Sequence, residues 1–302
     1  MITIEKVEDI ESQLEEFFKK ANVYQRNAES MRKIIDDNEA MFRNKAAKKY
    51  LDYMIKKIAS DIQRRILKSG NPDFIVNYVD WEAIEKEGVK YYKPAYVSVM
   101  AEAGDKAYEH ARIEGSFDVF NPLALDWAES NSLEYVTQIT AETKDALRVA
   151  IAQNMKDKLT RVQIGRKIRE LPLGLNEPQT IAYYKMRENL IADGVKSSVI
   201  DRKMKSYYNK LYRERCDSIA KTEVSRSVNE GYLNALETQD TFKKVRLSSA
   251  ADCCPQCAAR AGDEYTIEDA HGVLPLHPRC RCAWVVVYGK KYRVENPQLN
   301  KV

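Results

Sequence analysis

The residues best suited to chemistry in this sequence are a group of cysteines and histidines near its C-terminal end. Five of the six cysteines and two of the three histidines lie between positions 253 and 282. The turn Cys254-Pro255-Gln256-Cys257 offers two thiolates, and the stretch from His277 to Cys282 offers an imidazole and two more. Four soft or borderline donors are what a tetrahedral zinc ion takes. The spacing therefore predicts a zinc site.

With four protein ligands, the zinc ion would have no open position for water, so we expect a structural site and not a catalytic one. Cys253 is expected to point away along an extended chain, and His271, before Gly272, is expected to be a loop residue. The choice of the fourth donor, an imidazole or a thiolate, stays open. The expected ligands are Cys254, Cys257 and Cys280 together with either His277 or Cys282.

Two other interpretations of the cysteines also stay open, namely disulfides and packed thiols without a metal. The chain starts without the basic segment, apolar run and cleavage site of a signal peptide, so we expect a cytosolic product. Thiols stay reduced in the cytosol, which favours metal over disulfides. Cys216 stands alone in a helical pattern and is expected to be a small buried side chain.

Composition predicts a mainly α-helical fold. The 302 residues include only 11 glycines and 9 prolines, against 31% charged residues. The mean hydropathy is −0.55, and no apolar run approaches the length of a membrane span, so no membrane anchor is expected. The expected class is long amphipathic helices with a small C-terminal, β-rich and zinc-stabilised module, α+β overall.

The hydrophobic periodicity places these elements along the chain. Apolar residues recur at threes and fours over 46–67 and again over 201–236, which predicts long helices. Alternating or β-branched residues at 245–249 and 283–288 predict two paired strands that bracket the cysteines. We expect Glu223 and Arg226 to form an exposed ion pair on the second helix. The expected regions are 1–115 (helical), 116–240 (helical core), 241–290 (Cys/His module) and 291–302 (tail).

Charge is unevenly distributed although the net charge is only +4. The first residues are acidic, whereas basic runs cover 43–68, 156–169 and 202–215. Such segregation is typical of a chain that contacts nucleic acid, and also of amphipathic helices with a solvated basic side. Both interpretations stay open. The residues expected to contact DNA are Lys48, Lys49, Lys56, Lys57, Arg64, Arg65, Lys158, Arg161, Arg166 and Lys167.

The order of several short motifs resembles the head-morphogenesis family of tailed phages, the minor capsid proteins of Mu F type. The resemblance covers about residues 117–287, and Lys221 stands where the family usually has arginine. The N-terminal region lies outside it. The matching stretches are FNP at 120–122, DW at 126–127, ITAET at 139–143, RCDSIAKTE at 215–223, NEG at 229–231, ADCCPQCAARAG at 251–262 and PLHPRCRC at 275–282.

This resemblance implies a minor head protein inside the capsid, made in the host bacterial cytoplasm and recruited by the portal protein. It also implies roles in procapsid assembly and in genome delivery or ejection, with non-specific binding of phage DNA. Scaffold and major capsid protein are further partners that it suggests. The acidic N-terminal helix is our expected portal-docking segment, from its charge alone.

Two other functions were weighed against this one. A zinc-dependent nuclease or other hydrolase packaged in the virion could use acidic side chains near the cysteines, but the donors suffice to fill the ion's four places, so no enzyme is expected. A DNA-binding regulator with a zinc finger would need a basic recognition helix after the C-x-x-C turn. The span 258–272 is acidic, which disfavours a finger.

Overall fold

Long α-helices form most of the described chain. The computed structural model describes residues 4–66, 75–156, 163, 167–239 and 241–288, with side chains for 22–64, 76–154, 163, 167–239 and 241–288. A π-helical turn (Arg43–Ala47) joins the first two helices. The long helices are α1 (Ile4–Phe42), α2 (Lys48–Ile66), α3 (Trp81–Ala111), α4 (Pro122–Lys156), α5 (Glu177–Ala192) and α6 (Ser197–Glu237). The mainly α fold class predicted from the sequence is confirmed.

A small antiparallel sheet follows α6. Its strands are β1 (Lys244–Ser248), β2 (Glu264–Thr266) and β3 (Ala283–Val286), in the order β2-β1-β3. Two short helices, α7 (Pro255–Ala259) and α8 (Ile267–Ala270), lie between the strands in sequence. Val245 of β1 faces Tyr265 of β2 and Val286 of β3. The predicted pairing of β1 with β3 is confirmed, and β2 is an additional strand.

Helix boundaries depend on local caps that a search for periodicity does not detect. Helix α3 begins at Trp81, where the Asp80 carboxylate accepts the backbone N–H of Ala83 at 3.1 Å. In α5, Asn176 and Gln179 form a reciprocal capping box. No helix among the described residues is long and apolar enough to cross a membrane.

The chain divides into two compact units, each built from separate stretches of sequence. The first comprises residues 1–39, 96–125 and 221–302, and the second comprises 40–95 and 126–220. By sequence, the first contains 20 Lys and Arg against 25 Asp and Glu, a net charge of −5, and the second 29 against 20, a net +9. Positive charge is therefore concentrated in the second unit. The four consecutive functional regions predicted from the sequence stay a prediction.

In the first unit, the C-terminal half of α6 packs closely against α3. A Cβ on Gly231 would lie 2.7 Å from the backbone Cα and carbonyl oxygen of Met100, so only glycine fits this contact. Tyr232 and Val228 are fully buried beside it, as are Trp284 and Val245 of the sheet. The sheet therefore shares its core with these helices.

In the second unit, one cation predicted to belong to a basic surface is buried. Arg215 is only 3% exposed and donates to the Gly174 carbonyl oxygen at 2.9 Å, to Glu142 at 3.2 Å and to Thr143 at 3.4 Å. Its guanidinium is held by these three partners, so the expectation that it lies on a basic surface is wrong. Tyr50, also fully buried, bonds Thr140 at 3.0 Å.

Candidate metal centre

The C-x-x-C turn is shaped by the start of helix α7. Cys254 is the N-cap residue in extended conformation, Pro255 occupies the first helical position, and Cys257 lies within the first turn. The backbone N–H of Ala258 donates to the Cys254 carbonyl at 2.9 Å. Proline is suited to the first helical position because its φ is preset and its missing N–H costs no bond there. Both sulfurs therefore belong to one short rigid turn.

The second group of donors lies in the turn that leads into β3. The backbone N–H of Cys280 donates to the His277 carbonyl at 3.1 Å, and Arg279 between them adopts a left-handed φ of 64°. This reversal turns the segment back toward the C-x-x-C turn, where the His277 ring and the Cys280 sulfur each lie beside the Cys257 sulfur. Cys282 immediately precedes the buried strand β3.

The five donor atoms form two overlapping groups of three. Cys254, Cys257 and His277 form one, Cys257, Cys280 and Cys282 form the other, and the atoms within each lie within 4.8 Å of one another. The imidazole Nε2 lies 3.3 Å from the first sulfur and 3.1 Å from the second. The sulfurs of Cys257 and Cys280 are 3.7 Å apart.

These separations can be compared with the edges of a zinc tetrahedron. Metal–sulfur and metal–nitrogen bonds of about 2.3 and 2.05 Å give edges of about 3.8 Å between sulfurs and about 3.6 Å between sulfur and nitrogen. The 3.7 Å separation of the Cys257 and Cys280 sulfurs agrees closely with that geometry, and the two separations to nitrogen are shorter by a few tenths. All six cysteines are free, so no disulfide competes for these sulfurs. The cluster could hold a metal ion.

The hydrogen bonding of His277 prepares it to act as a ligand. Its Nδ1 lies 2.8 Å from the Pro278 carbonyl oxygen, which can only accept, so Nδ1 holds the proton. In the neutral ring the lone pair then lies on Nε2, the atom directed at the sulfurs of Cys254 and Cys257. A ligating histidine usually fixes its tautomer through such a bond to a carbonyl.

Protons are distributed unequally over the sulfurs. A hydrogen bond from Cys282 lowers the pKa of Cys280 to about 5, and the same bond raises the pKa of Cys282. Burial raises the pKa of Cys257 to about 12, whereas a backbone hydrogen bond at Cys257 lowers the pKa of Cys254. Buried thiolates repel one another unless a cation lies between them. A divalent ion would displace the remaining protons and remove that repulsion.

The arginines that alternate with the last cysteines face the helices. The backbone N–H of Arg279 donates to the Thr222 hydroxyl of α6 at 3.0 Å. The Arg281 guanidinium donates to both carboxylate oxygens of Asp36 on α1, at 2.6 and 2.7 Å. These contacts attach the donor segment to α1 and to α6.

Two buried polar residues of α6 form hydrogen bonds to the Cys/His module. Asn229, fully buried, donates to the Cys282 carbonyl at 3.1 Å and accepts the backbone N–H of Trp284 at 3.0 Å. Glu230, 1% exposed, accepts from the Gly272 N–H at 2.8 Å and contacts His271 Nδ1 at 2.7 Å. Sequence analysis gave neither residue a role, although both belong to the NEG motif.

Glu223 differs from its predicted role, whereas His271 agrees with its prediction as a loop residue. Glu223 is fully buried and accepts from the Tyr96 hydroxyl at 2.6 Å, so the prediction of an exposed ion pair is wrong, although Arg226 does contact its carboxylate at 3.3 Å. His271 contacts Glu230 and Glu237 and is not among the donors. Burial acts to lower the pKa of His271, but the hydrogen bonds and negative charges of Glu230 and Glu237 together outweigh it and raise the pKa.

Cysteines outside the donor groups behave as packed or spare thiols. Cys216 is 3% exposed, and burial raises its pKa to about 11, which agrees with the prediction of a buried side chain. Cys253 is half-buried and belongs to neither donor group. Of the five cysteines close together in sequence, four belong to the two groups that could hold a metal ion.

The predicted DNA-contacting residues are only partly described. Lys49, Lys56, Arg64 and Lys167 are exposed. Lys48 is exposed but pairs with Asp52 at 2.5 Å. Lys57 is half-buried and pairs with Asp61 at 2.6 Å. The side chains of four more predicted residues lie outside the described part of the structure, namely Arg65, Lys158, Arg161 and Arg166.

No protein-family model matches the chain, and no curated protein or solved structure matches it. The resemblance to the phage head-morphogenesis family stays a prediction.

Proposed function

We propose that this chain is a minor head protein of a tailed phage, with a structural zinc centre in its first unit and a DNA-contacting surface on its second. It acts at the portal inside the capsid, in procapsid assembly and genome delivery. The protein is not an enzyme in this proposal.

One observation supports the proposal most directly. Four segments of the stretches that resemble the phage family, 221–223, 229–231, 251–262 and 275–282, are separate in sequence and lie together in the first unit. Thr222 accepts from Arg279, Asn229 holds Cys282, and Glu230 holds the loop at Gly272. Motif residues that bond one another are expected of a family signature that specifies a structure.

The donor set favours zinc and a closed structural site. Three thiols and an imidazole are ligands that zinc accepts readily, and five donors exceed the four required. Cys257, Cys280 and Cys282 are each at most 2% exposed, which leaves little access for water or substrate. A structural ion would add folding free energy to a three-stranded sheet that is too short to be stable alone.

Metal content tests this centre. Protein purified without chelator or metal resin is expected to contain about one zinc ion per chain, with its clustered thiols protected from titration. Cys257→Ser should lose the ion, because Cys257 belongs to both donor groups, while Cys216→Ser should keep it. Metal-free protein with freely titrating thiols would remove the zinc centre from the proposal.

The second unit is the source of the proposed DNA affinity. Its net charge of +9 contrasts with −5 in the first unit, and exposed cations on α2 include Lys49 and Lys56. Contacts of lysine and arginine with phosphates give affinity that is independent of sequence and falls with salt. A protein that accompanies a whole genome needs such binding and does not need base recognition.

Fluorescence anisotropy with two unrelated duplexes over a series of salt concentrations tests this surface. Lys49→Glu with Lys56→Glu is expected to weaken binding to both duplexes equally, and to reduce the slope of log K against log salt by about 2. The matched control is Lys33→Glu with Lys244→Glu, which reverses two exposed cations of the first unit. Lys57 is left unchanged because a carboxylate there would face Asp61.

Each result of that assay has a defined meaning. Equal weakening in both double variants would remove the α2 surface from the proposal. Metal-dependent cleavage of the duplex by wild-type protein, lost in Cys257→Ser, would favour the virion nuclease instead.

Co-purification with the phage portal protein tests the proposed portal binding. Reversal of the acidic residues Glu11, Glu15 and Glu16 to lysine should abolish co-purification if α1 docks the portal.

A further inference from the structure

A cavity of about 360 Å³ lies in the first unit, away from the cysteine cluster. Its walls come from α1, from the end of α3 and the residue that follows it, and from Tyr288, two residues after β3. The volume is at the lower end of the range for small-molecule sites. The lining residues are Val23, Arg26, Asn27, Ser30, Glu109, His110, Arg112 and Tyr288.

The polar groups of the cavity wall bond one another in one consistent direction. Val286 N–H donates to the Tyr232 hydroxyl at 3.1 Å, which in turn lies 3.3 Å from His110 Nδ1. The other ring nitrogen, Nε2, lies 2.8 Å from the Ser30 hydroxyl, whose proton goes to the Asn27 carbonyl at 2.8 Å. His110 Nε2 is therefore the donor to Ser30, so the ring cannot act as a base that activates this serine.

Burial keeps this histidine neutral, since it lowers the pKa of His110 to about 4. The Tyr288 hydroxyl donates to the His110 carbonyl at 2.7 Å and accepts from the Asn27 amide at 3.2 Å. With these bonds made, the wall is fixed in one arrangement. Binding rather than catalysis is the chemistry that such a preorganised, neutral wall can support.

Two arginines supply positive charge at the cavity. Among the described residues, neither Arg26 nor Arg112 forms an ion pair, although their unit has a net charge of −5. The nearby carboxylate of Glu109 is paired with Lys106. Two guanidinium groups without acidic partners, beside a neutral polar wall, match the recognition of an oxyanion.

The backbone of Arg112 adds an independent observation. Its N–H donates to the Glu109 carbonyl and the Ile113 N–H donates to the Tyr108 carbonyl, at 3.2 and 2.9 Å, which is the Schellman ending of α3. Arg112 occupies the left-handed position of this motif, with φ of 56°. Glycine is usual there, and a side chain costs about 1 kcal/mol. An arginine maintained at that cost, facing a cavity, indicates a use for its side chain.

We propose that this cavity binds a small molecule bearing an oxyanion, a phosphate ester or a carboxylate, held by Arg26 and Arg112 and oriented by the second amide N–H of Asn27, the first being donated to Tyr288. The site is separate from the zinc centre and from the DNA-contacting surface. Its occupancy would respond to the small-molecule content of the compartment in which the protein lies.

Titration with inorganic phosphate and with acetate, measured by calorimetry, tests the site. Ionic strength is held constant, and a titration with sodium chloride is the reference. Wild-type protein should bind at least one of the two anions saturably, and the tighter one identifies the ligand class. Arg112→Gly should weaken that binding about tenfold through loss of a charge-assisted bond. The same variant should be at least as stable as wild type, because glycine relieves the left-handed backbone.

Arg26→Gln should weaken binding similarly, and Lys33→Gln, which removes another exposed cation from the same helix, should leave it unchanged. Absence of saturable binding by wild type to either anion would overturn the proposal. So would Arg112→Gly protein that is folded and still binds with wild-type affinity.

Discussion

Replacing Asn229 of α6 tests whether this side chain supports the metal centre and does not only stabilise its own helix. Its amide donates to the Cys282 carbonyl at 3.1 Å and to the Ser225 carbonyl at 2.8 Å, and its oxygen accepts the Trp284 N–H at 3.0 Å. Truncation in Asn229→Ala leaves the Cys282 carbonyl and the Trp284 N–H buried without these partners. We expect a loss of folding free energy of the first unit.

The magnitude follows from those two orphaned groups. Each buried backbone group that loses its partner costs about 1–3 kcal/mol, so Asn229→Ala should cost about 2–6 kcal/mol. The Ser225 carbonyl adds little, since it keeps its bond within the helix. Because Asn229 bonds the carbonyl of Cys282, whose sulfur is a candidate metal ligand, the variant should also release its metal faster. Urea unfolding followed by Trp fluorescence measures the first effect, and zinc transfer to a colorimetric chelator measures the second.

Asn234 provides a matched control. It lies on the same helix, is 3% exposed, and its amide donates at 2.8 Å only to the Glu230 carbonyl of its own helix. Asn234→Ala removes the same number of atoms and orphans no backbone group, so it should cost about 1 kcal/mol and leave metal release unchanged. Equal losses in the two variants, or unchanged metal release in Asn229→Ala, would refute the assignment of Asn229 to the metal module.

Three further predictions concern packing, pH and a buried cation. Gly231→Ala gains helix propensity but places a Cβ 2.7 Å from the Met100 backbone, so a net loss of about 1–2 kcal/mol is expected in thermal unfolding, and a gain would contradict the close helix contact. Burial keeps His110 neutral in the folded protein, so the protein should lose up to about 3 kcal/mol of stability as pH falls from 6.5 to the folded pKa of His110, about 4, because the unfolded chain takes up the proton first. The His110→Gln variant should lack this pH-dependent loss. Parallel profiles of stability against pH for the two proteins would contradict the prediction. In Arg215→Lys, the lysine ammonium cannot reach Gly174, Glu142 and Thr143 together, so the second unit should lose about 2 kcal/mol of stability. Hydrogen exchange of α6 measures this loss. Unchanged exchange would count against the three-partner contact.

The metal donors could be predicted from the sequence because their information is local. A C-x-x-C turn brings two sulfurs together whatever surrounds it, and His277 lies beside both of these sulfurs. Strands 245–249 and 283–288 were also recognisable from β-branched and alternating residues, and the pairing of Val245 with Val286 follows from them. Such features need no knowledge of distant contacts.

The supporting residues of α6 could not be predicted, since their partners lie far away in the sequence. Glu223 and Asn229 resemble the solvated side of an amphipathic helix, yet both are fully buried because residues 96 and 282–284 supply their hydrogen bonds. A polar residue gives no periodic signal that separates burial from exposure. For the same reason Arg215 was placed with a basic surface. The partition of the chain into discontinuous units is likewise a property of tertiary packing.

The small sheet illustrates why both kinds of residue are present. Strands of five, three and four residues bury Trp284 and Val245, but such short strands do not hold together in water without other support. On one side the donor cluster can take a metal ion, and on the other Asn229 and Glu230 fix the backbone just before β3 and after α8. A metal ion could not specify how the module lies on α6, and two hydrogen-bonding side chains could not close the loop of cysteines. Orientation and closure are therefore separate requirements, met here by separate residues.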